Sequence, residues 1–397
     1  MNSNIQKLYD VANKPKRLII GLMSGTSLDG LDVALCSIEG SGQDTKLELV
    51  KFNTIAYNDD FKNEIRTVFS KRDIDLEKLC LLNPWIALQH AAMIKNCIQE
   101  WNVTATEIDL IASHGQTIYH APQRLHKQTK FGNATLQIGD GDHLAVATGI
   151  ITISDFRQKN IAAGGEGAPL AVYGDYLLFS KKGEDRILLN IGGIANFTFL
   201  PGNEEKILCT DVGPGNTMMD AFIQQQFKGK SYDKDSEVAK SGIVSKDLLL
   251  VLKEDDFFKQ DFPKTTGPEL FNLDYLQKAK MKSKTEFLSV ADTMCTLNSF
   301  SADTIASAIK SCIKDKAGVK IFGSGGGIHN PLLMQQIQEQ LPDCDLINIE
   351  ETGINPDAKE AILFAVLANE CVCGNITSDK EIAGILKVSM GKISFPD

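Results

Sequence analysis

Residues 24–32 place small, hydroxyl-bearing and acidic side chains within a single turn, Ser-Gly-Thr-Ser-Leu-Asp-Gly-Leu-Asp. Backbone N–H groups at a tight turn bind phosphate, and small residues let the backbone approach the phosphate closely. Carboxylates beside such a turn suit Mg²⁺, directly or through water. A plain β-hairpin turn is the alternative, but the concentration of hydroxyl and carboxylate groups favours phosphate or Mg²⁺ binding. The predicted phosphate-binding residues are Ser24, Gly25, Thr26, Ser27, Asp29 and Gly30, and the predicted metal ligands are Asp29 and Asp32.

A second group of candidate residues begins at Asp211 and continues through Gly-Pro-Gly to Asn216. The pattern predicts a strand that ends at an aspartate, then a glycine turn, then a helix that begins at Asn216 or Thr217. A carboxylate beside a helix N-terminus can act as a general base next to a bound anion. We expect Asp211 to be that base, because it precedes the turn and can point into a cleft. In the alternative interpretation, Asn216 and Asp220 only cap and solvate the start of the helix.

A glycine run at residues 322–331 follows a short apolar strand and precedes an amphipathic helical segment. Glycines in such a turn allow a flat ligand, such as a nucleotide base and ribose, to lie against the backbone. The predicted nucleotide-binding residues here are Gly325, Gly326 and Gly327.

Two further polar segments lie at residues 113–117 and 155–169. His114 is a candidate catalytic residue or sugar ligand, although a hydrogen-bonded core histidine is the interpretation that chemistry alone favours. Arg157 suits a bidentate contact with a substrate carboxylate, or an ion pair with Asp155 or another acid. No Walker loop, zinc spacing, catalytic triad or dinucleotide fingerprint is present, so the motifs favour phosphoryl transfer.

The elements that must position these residues include two similar hairpins, at residues 17–35 and 186–200. Each reads as apolar strand, glycine-containing turn and second strand, and a hairpin that recurs halfway along the chain predicts a duplicated domain. Strands that alternate with helices predict an α/β fold with mixed sheets. Helical periodicity is expected at residues 84–100, 218–227, 290–314, 331–340 and 358–371, and strands at 110–113, 149–154 and 319–322. The first predicted domain comprises residues 1–150 with 372–397, and the second comprises residues 151–371. The polar stretches 253–267 and 272–286 are predicted to form an inserted lobe or loops over a cleft.

Composition sets limits on the class of protein. The 397 residues are 43% hydrophobic and carry a net charge of −10, which argues against a nucleic-acid partner but not against a small anionic substrate. No apolar run is long enough to span a bilayer, and the N-terminus has no secretory signal. Nine cysteines without paired spacing suit a reducing compartment. We therefore predict a cytoplasmic protein without a membrane or nucleic-acid partner.

The motifs together resemble the anhydro-N-acetylmuramic acid kinase family over about residues 18–368. The resemblance implies the two-domain fold of the actin/Hsp70/hexokinase class, a duplicated ribonuclease H-like fold with ATP and sugar in an interdomain cleft. It implies a kinase that uses ATP and Mg²⁺ as cofactors. This kinase opens a 1,6-anhydro ring with water and phosphorylates O6 during cell-wall recycling. It also implies a homodimer. The segments that carry it are residues 21–32, 113–117, 162–170, 190–193, 211–216, 232–235, 263–267 and 325–327.

The resemblance also assigns roles to individual positions. Asp211 matches the catalytic base. Gly192, Gly193 and Gly213 join the predicted ATP-binding residues, and His114, Gln116, Arg157 and Asn216 are assigned to the sugar.

Three positions depart from the family pattern, namely Asn160, Glu166 and Pro268, where aspartate, glutamine and arginine are common. These departures leave open a kinase for a different, levoglucosan-like anhydrosugar. They also leave open a non-catalytic relative that still binds nucleotide, although an intact Asp211 argues against it.

Overall fold

The computed structural model describes residues 1–167, 170–203, 207–314, 316–352, 355, 357–374, 381–382, 385–386 and 388–397. The strands are β1 Lys16–Ser24, β2 Gly30–Glu39, β3 Lys46–Ala56, β4 Leu110–Ala121, β5 Ala134–Ile138, β6 Thr152–Ser154, β7 Arg186–Ile191, β8 Ile194–Leu200, β9 Leu208–Pro214, β10 Lys320–Ser324, β11 Asp345–Asn348, β12 Glu381–Ile382, β13 Ile385–Leu386 and β14 Lys392–Ser394. The helices are α1 Ser3–Asn13, α2 Asp59–Arg66, α3 Leu76–Glu100, α4 Gln123–His126, α5 Gly141–Thr148, α6 Phe156–Ala162, α7 Ala171–Phe179, α8 Thr217–Gln226, α9 Glu237–Lys240, α10 Lys246–Leu252, α11 Leu273–Ser283, α12 Val290–Ile313, α13 Pro331–Gln340 and α14 Lys359–Cys373.

The chain divides into two compact units. Unit 1 comprises Met1–Leu178 and Gly353–Asp397, and unit 2 comprises Phe179–Thr352. The predicted boundaries at 150 and 371 differ from these. Strand β6 pairs in parallel with β4, and helix α14 packs on β1, so both elements belong to unit 1. Without β6, the backbone groups of β4 at residues 111–113 would lack a strand partner on that edge.

The sheet of unit 1 has the order β14-β6-β4-β1-β2-β3, with β5 paired to β4. Strands β1, β2 and β3 form an antiparallel meander, and β4 and β6 continue the sheet in parallel from β1. Helix α3 covers this sheet and contributes apolar side chains to its core, including Ile86 and Ile94.

The sheet of unit 2 repeats that plan. Its order is β11-β10-β7-β8-β9, with an antiparallel meander of β7, β8 and β9 and parallel additions of β10 and β11. Helix α12 is the central helix of this unit, and Phe300 and Ile305 on it are fully buried. The same order of strands in both units confirms the predicted duplicated α/β fold with mixed sheets.

Most predicted elements are confirmed near their expected bounds, and the differences have local causes. Helix α3 begins at Leu76 rather than at residue 84, because Asp75 caps it and Pro84 is accommodated inside the helix. The polar stretch at 272–286 contains a regular helix, α11, whose Leu276 packs in the core of unit 2.

None of the described helices combines the length and the apolar character needed to cross a membrane.

Candidate active site

The predicted phosphate turn of unit 1 joins β1 to β2, as the sequence indicates. Thr26, Ser27 and Asp29 are exposed, whereas Ser24 is buried. The Ser27 hydroxyl donates a hydrogen bond of 2.7 Å to Asp29 Oδ1, and this bond lowers the pKa of Asp29 against the opposing effect of its partial burial. The exposed middle of the turn therefore presents hydroxyl and carboxylate groups to solvent. Gly25 and Gly30 lie at its two ends.

Ser24 is held by a buried chain of hydrogen bonds, which we call the Ser24 network. The Ser24 hydroxyl donates to Gln116 Oε1 at 2.5 Å, and it accepts a hydrogen bond of 2.7 Å from the Tyr57 hydroxyl. The Tyr57 oxygen lies 2.9 Å from His90 Nε2. Because the tyrosine proton is directed to Ser24, His90 must donate from Nε2. Burial lowers the pKa of His90 to about 4, so the ring is neutral near pH 7.

The Ser24 network changes the interpretation of two predicted ligands. Ser24 and Gln116 are 2% and 0% exposed, and their side-chain groups bond to each other. The Gln116 amide also donates weakly, at 3.4 Å, to the carbonyl of Gly25. Both side chains therefore support the turn from its buried side. A ligand can contact the backbone of the turn and the exposed side chains of Thr26, Ser27 and Asp29.

Asp29 and Asp32 form the candidate metal site. Asp32 accepts a hydrogen bond of 2.6 Å from Thr54, and neither carboxylate forms an ion pair with a described lysine or arginine. Burial, together with the negative charges of Asp29 and Asp357, raises the pKa of Asp32. The described residues contain no group of three or more His, Cys, Asp or Glu side chains arranged for a metal. Two carboxylates that form no ion pair among the described residues fit Mg²⁺, which usually binds one or two protein carboxylates together with substrate phosphates.

His114 and Arg157 lie together in unit 1. Arg157 Nε donates to His114 Nε2 at 3.0 Å, and Arg157 Nη1 donates to the carbonyl of Gly167 at 2.7 Å. Burial and the neighbouring arginine lower the pKa of His114 to about 3, so the ring is neutral. His114 is thus a buried histidine that is hydrogen-bonded to Arg157, which is the alternative that the residue chemistry favoured in the sequence. Its Nδ1 atom is buried and has no partner among the described residues.

The alternative of an ion pair between Arg157 and Asp155 does not occur among the described residues, and Asp155 pairs instead with Lys392 at 2.5 Å. Arg157 keeps N–H groups on Nη2 that bond to no described residue. A contact with a substrate carboxylate therefore remains a prediction for those groups.

Of the positions that depart from the family pattern, Asn160 lies in helix α6, whereas Glu166 and Pro268 lie in loops. Asn160 Oδ1 accepts a hydrogen bond of 2.8 Å from the Gly167 amide, which fixes the loop that Arg157 also contacts. Glu166 pairs with Arg124 at 3.3 Å, and Pro268 is exposed. Asn160 thus supports, from helix α6, the loop that Arg157 also contacts.

Asp211 is the central residue of the candidate site in unit 2. The sequence predicted that this aspartate ends a strand, and that prediction was wrong, because Asp211 lies inside β9. Asn196 pairs with Asp211 and Ala195 pairs with Gly213, so Val212 is the extra residue of a β-bulge. A bulge turns the strand locally and is frequent beside active sites. Gly213 has φ of 146°, a conformation that favours glycine, and it completes this bend.

The Asp211 carboxylate has one described hydrogen-bond partner. The Thr266 amide donates to Asp211 Oδ2 at 2.9 Å, and the Asp211 amide donates to the carbonyl of Lys264 at 3.0 Å. Burial raises the pKa of Asp211, and the bond from Thr266 partly opposes this rise. A half-buried carboxylate with one oxygen held and the other uncommitted can accept a proton from a water molecule.

The glycine turns of unit 2 meet one another. The amide of Asn216 donates to the carbonyl of Gly192 at 2.8 Å, and the amides of Gly215 and Thr217 donate to Gly193 at 2.9 and 3.0 Å. Gly325 lies so close to Ile191 that an added Cβ would be 2.8 Å from the Ile191 carbonyl oxygen. The structure therefore brings the glycine turns together around Ile191 and the start of α8, with Gly213 two residues after Asp211. The predicted residues in this group are Gly192, Gly193, Gly213, Asn216, Gly325, Gly326 and Gly327.

Sequence reasoning missed four residues that support these sites, namely Tyr57, His90, Lys264 and Thr266. Tyr57 and His90 carry no local signal, because each looks like an ordinary residue of a strand end or a helix. Lys264 and Thr266 belong to residues 263–267, which the resemblance includes without assigning them a role.

Comparison with known proteins shows a family match over nearly the whole chain. The family model described as anhydro-N-acetylmuramic acid kinase matches residues 17–395. The anhydro-N-acetylmuramic acid kinase of Pseudoalteromonas atlantica is 58% identical, with 100% of both chains covered. The enzyme of that name from Caldanaerobacter subterraneus is 39% identical over 98% of this chain and 100% of its own.

Two similar solved structures are more distant in sequence. An activator of 2-hydroxyisocaproyl-CoA dehydratase from Clostridium difficile, with bound ADPNP, is 12% identical, covers 92% of this chain and 99% of its own, and has a TM-score of 0.38. A ROK family glucokinase from Streptomyces griseus, in complex with glucose and AMPPNP, is 12% identical, covers 88% of this chain and 98% of its own, and has a TM-score of 0.34.

Proposed function

The chain belongs to the anhydro-N-acetylmuramic acid kinase family, and we propose that it phosphorylates 1,6-anhydro-N-acetylmuramic acid at the expense of ATP. The product is N-acetylmuramic acid 6-phosphate, an intermediate in the recycling of cell-wall fragments. The observation that carries the proposal is the Asp211 carboxylate, half-buried at a β-bulge with one oxygen uncommitted, within a chain that matches the family from residue 17 to residue 395.

The reaction couples ring opening to phosphoryl transfer. Water attacks C1 of the sugar and gives its proton to Asp211, while the bond between C1 and O6 breaks. The freed O6 forms a bond to the γ-phosphorus, and the bond from that phosphorus to the ADP oxygen breaks. A carboxylate whose pKa is raised by burial is a stronger base than an ordinary aspartate, which suits this step.

The remaining predicted residues are assigned to the ligands. The exposed part of the turn at residues 24–30 meets the ATP phosphates through its backbone and through Thr26 and Ser27. The glycine turns around Ile191 meet the nucleotide, and Asn216 lies at the start of α8 for the sugar or the phosphate. Arg157, through Nη2, is assigned to the lactyl carboxylate.

Asp29 and Asp32 would hold Mg²⁺. When bound with ATP, this ion neutralises charge on the phosphate oxygens. The two aspartates would hold the ion next to the turn at residues 24–30.

The test is release of ADP by the purified protein with Mg-ATP and 1,6-anhydro-N-acetylmuramic acid, with levoglucosan in parallel. We expect turnover on the muramic sugar and at least about a hundredfold lower kcat/KM on levoglucosan, because a site built for a carboxylate leaves a cation unpaired without it. Comparable turnover on both sugars would refute the assignment of Arg157. Turnover on levoglucosan alone would identify a different anhydrosugar kinase, and nucleotide binding without turnover would identify a non-catalytic relative.

The nine cysteines are all free, which supports the proposed cytoplasmic location. The homodimer that the resemblance implies stays a prediction, which sedimentation of the purified protein tests.

A further inference from the structure

Lys264 in unit 2 is a buried lysine surrounded by aromatic rings. Its Nζ lies 4.4, 5.8 and 5.3 Å from the ring centroids of Phe257, Phe258 and Phe262, and the residue is 9% exposed. Nζ also donates to the carbonyl of Phe257 at 3.0 Å. No described carboxylate forms an ion pair with it, so ring faces and one carbonyl stabilise the buried ammonium. We call these three phenylalanines the aromatic cage.

The aromatic cage is fixed to the core of unit 2. The ring of Phe257 lies 5.6 Å from that of Phe271, and the ring of Phe258 lies 5.7 Å from that of Phe300. Phe271 and Phe300 are both fully buried, and Phe300 belongs to α12. Because core side chains pack at high density, the Lys264 side chain cannot shift without disturbing these rings.

The backbone around this same lysine holds Asp211 from two directions. The Lys264 carbonyl accepts a hydrogen bond of 3.0 Å from the Asp211 amide, and the Lys264 amide donates to Thr210 Oγ1 at 3.0 Å. Two residues further on, the Thr266 amide donates to the Asp211 carboxylate at 2.9 Å. The segment 264–266 thus fixes both the backbone and the carboxylate of Asp211 along the outer edge of β9.

We propose that Lys264 is a positioning residue for Asp211, which transmits the rigidity of the aromatic cage to the carboxylate through the backbone of residues 264–266. The inference rests on the proposed role of Asp211 as the base. Lys264 touches no reacting atom in this account. Its ammonium is held by the cage, which faces the core, so its effect on the reaction passes only through the hydrogen bonds to Asp211.

The variant Lys264→Met tests this, because methionine keeps the length of the side chain and packs well against aromatic rings while it removes the charge and the donor. Lys280→Met is the matched control. Lys280 is also buried, at 7% exposed, and its Nζ lies 5.6 Å from the Phe222 ring, but no hydrogen bond joins it to Asp211.

Two readouts are measured on each variant. Amide hydrogen exchange in peptides that contain Asp211 and Thr266 needs no activity, and we expect it to accelerate about tenfold in Lys264→Met and not in Lys280→Met. In turnover assays we expect kcat to fall about tenfold with the KM for ATP unchanged, and the acid limb of kcat to move to higher pH as the Thr266 bond weakens. A purely structural role would lower the melting temperature without moving that limb.

Unchanged exchange at both amides in Lys264→Met would overturn the proposal, whatever the activity. Accelerated exchange with an unchanged kcat and acid limb would also overturn it. If the wild-type protein shows no turnover, the proposed function fails, while the exchange experiment still decides whether Lys264 holds the Asp211 backbone. Should Lys264→Met not fold, Phe262→Leu opens one side of the cage and must produce the same local acceleration, and its absence would refute the inference.

Discussion

Ser24 ends β1 in the sheet of unit 1 and Asp211 lies inside β9 in the similar sheet of unit 2, yet the two polar positions are supported differently. Side chains support the Ser24 turn, through Tyr57, His90 and Gln116 in a buried chain of hydrogen bonds. Main-chain groups support Asp211, through the carbonyl of Lys264 and the amide of Thr266. A side-chain network can be removed one group at a time by substitution, whereas main-chain bonds survive most substitutions. Variants of the two regions should therefore fail in different ways.

The largest effect is expected at Asp211 itself. Asp211→Asn keeps the volume of the side chain and can still accept the Thr266 hydrogen bond, but it removes the base. We expect kcat to fall about 10³-fold with nearly unchanged ATP affinity, because general base catalysis is lost and little binding area changes. Coupled ADP release and nucleotide titration measure the two quantities, and near-normal turnover would contradict the assigned role.

A stability effect is expected in the Ser24 network. Tyr57→Phe leaves the buried Nε2–H of His90 without its acceptor and the Ser24 hydroxyl without a donor. We expect the free energy of unfolding to fall by about 1–3 kcal/mol, which denaturant titration measures. Tyr9→Phe is the control, because Tyr9 is 61% exposed. Equal stability of the two variants would show that the network does not support the turn.

Two glycines separate a requirement of the fold from a requirement of the ligand. Gly325 has φ of 83°, and an added Cβ would lie 2.7 Å from Asn190 Oδ1, so Gly325→Ala should destabilise unit 2 by about 1–2 kcal/mol. An added Cβ at Gly25 meets only Ser27, at 3.4 Å or more. Gly25→Val should therefore weaken ATP binding while thermal stability changes little, and unchanged ATP affinity would refute the placement of phosphate at this turn.

The smallest effect is expected in the pH profile. A carboxylate base works when deprotonated, so activity is lost as the pH falls through its pKa. Burial raises the pKa of Asp211, so the acid limb of kcat/KM should lie above the ordinary aspartate value of about 4. Ser24→Ala should alter the KM for ATP and leave this limb in place. A limb that moves in Ser24→Ala would mean that the two regions are not supported independently.

Local patterns in the sequence predicted the hairpins, the helix at Pro331–Gln340 and the glycine turns, because strand alternation and turn residues act over a few positions. They did not predict the partners of Ser24 and Asp211, which come from distant segments. Tyr57 lies 33 residues from Ser24, and Thr266 lies 55 residues from Asp211. Only the tertiary fold brings these groups together, because Tyr57 follows the end of β3 and Thr266 lies in a segment outside the helices and strands. The bulge at Val212 was equally invisible, since one unpaired residue leaves no mark on alternation.

The interrupted chain of unit 1 has a consequence for the order of synthesis on the ribosome. Unit 2 is one continuous stretch, Phe179–Thr352, whereas unit 1 needs α14 and β14 from the later stretch Gly353–Asp397. That later stretch also reaches back to the beginning of unit 1, where Asn4 Nδ2 donates to Asp397 Oδ1 at 2.5 Å. Domains fold as their residues emerge. Unit 1, whose synthesis begins first, is therefore completed last. In the nascent protein, unit 2 can fold before α14, the helix that packs on β1, has been synthesised.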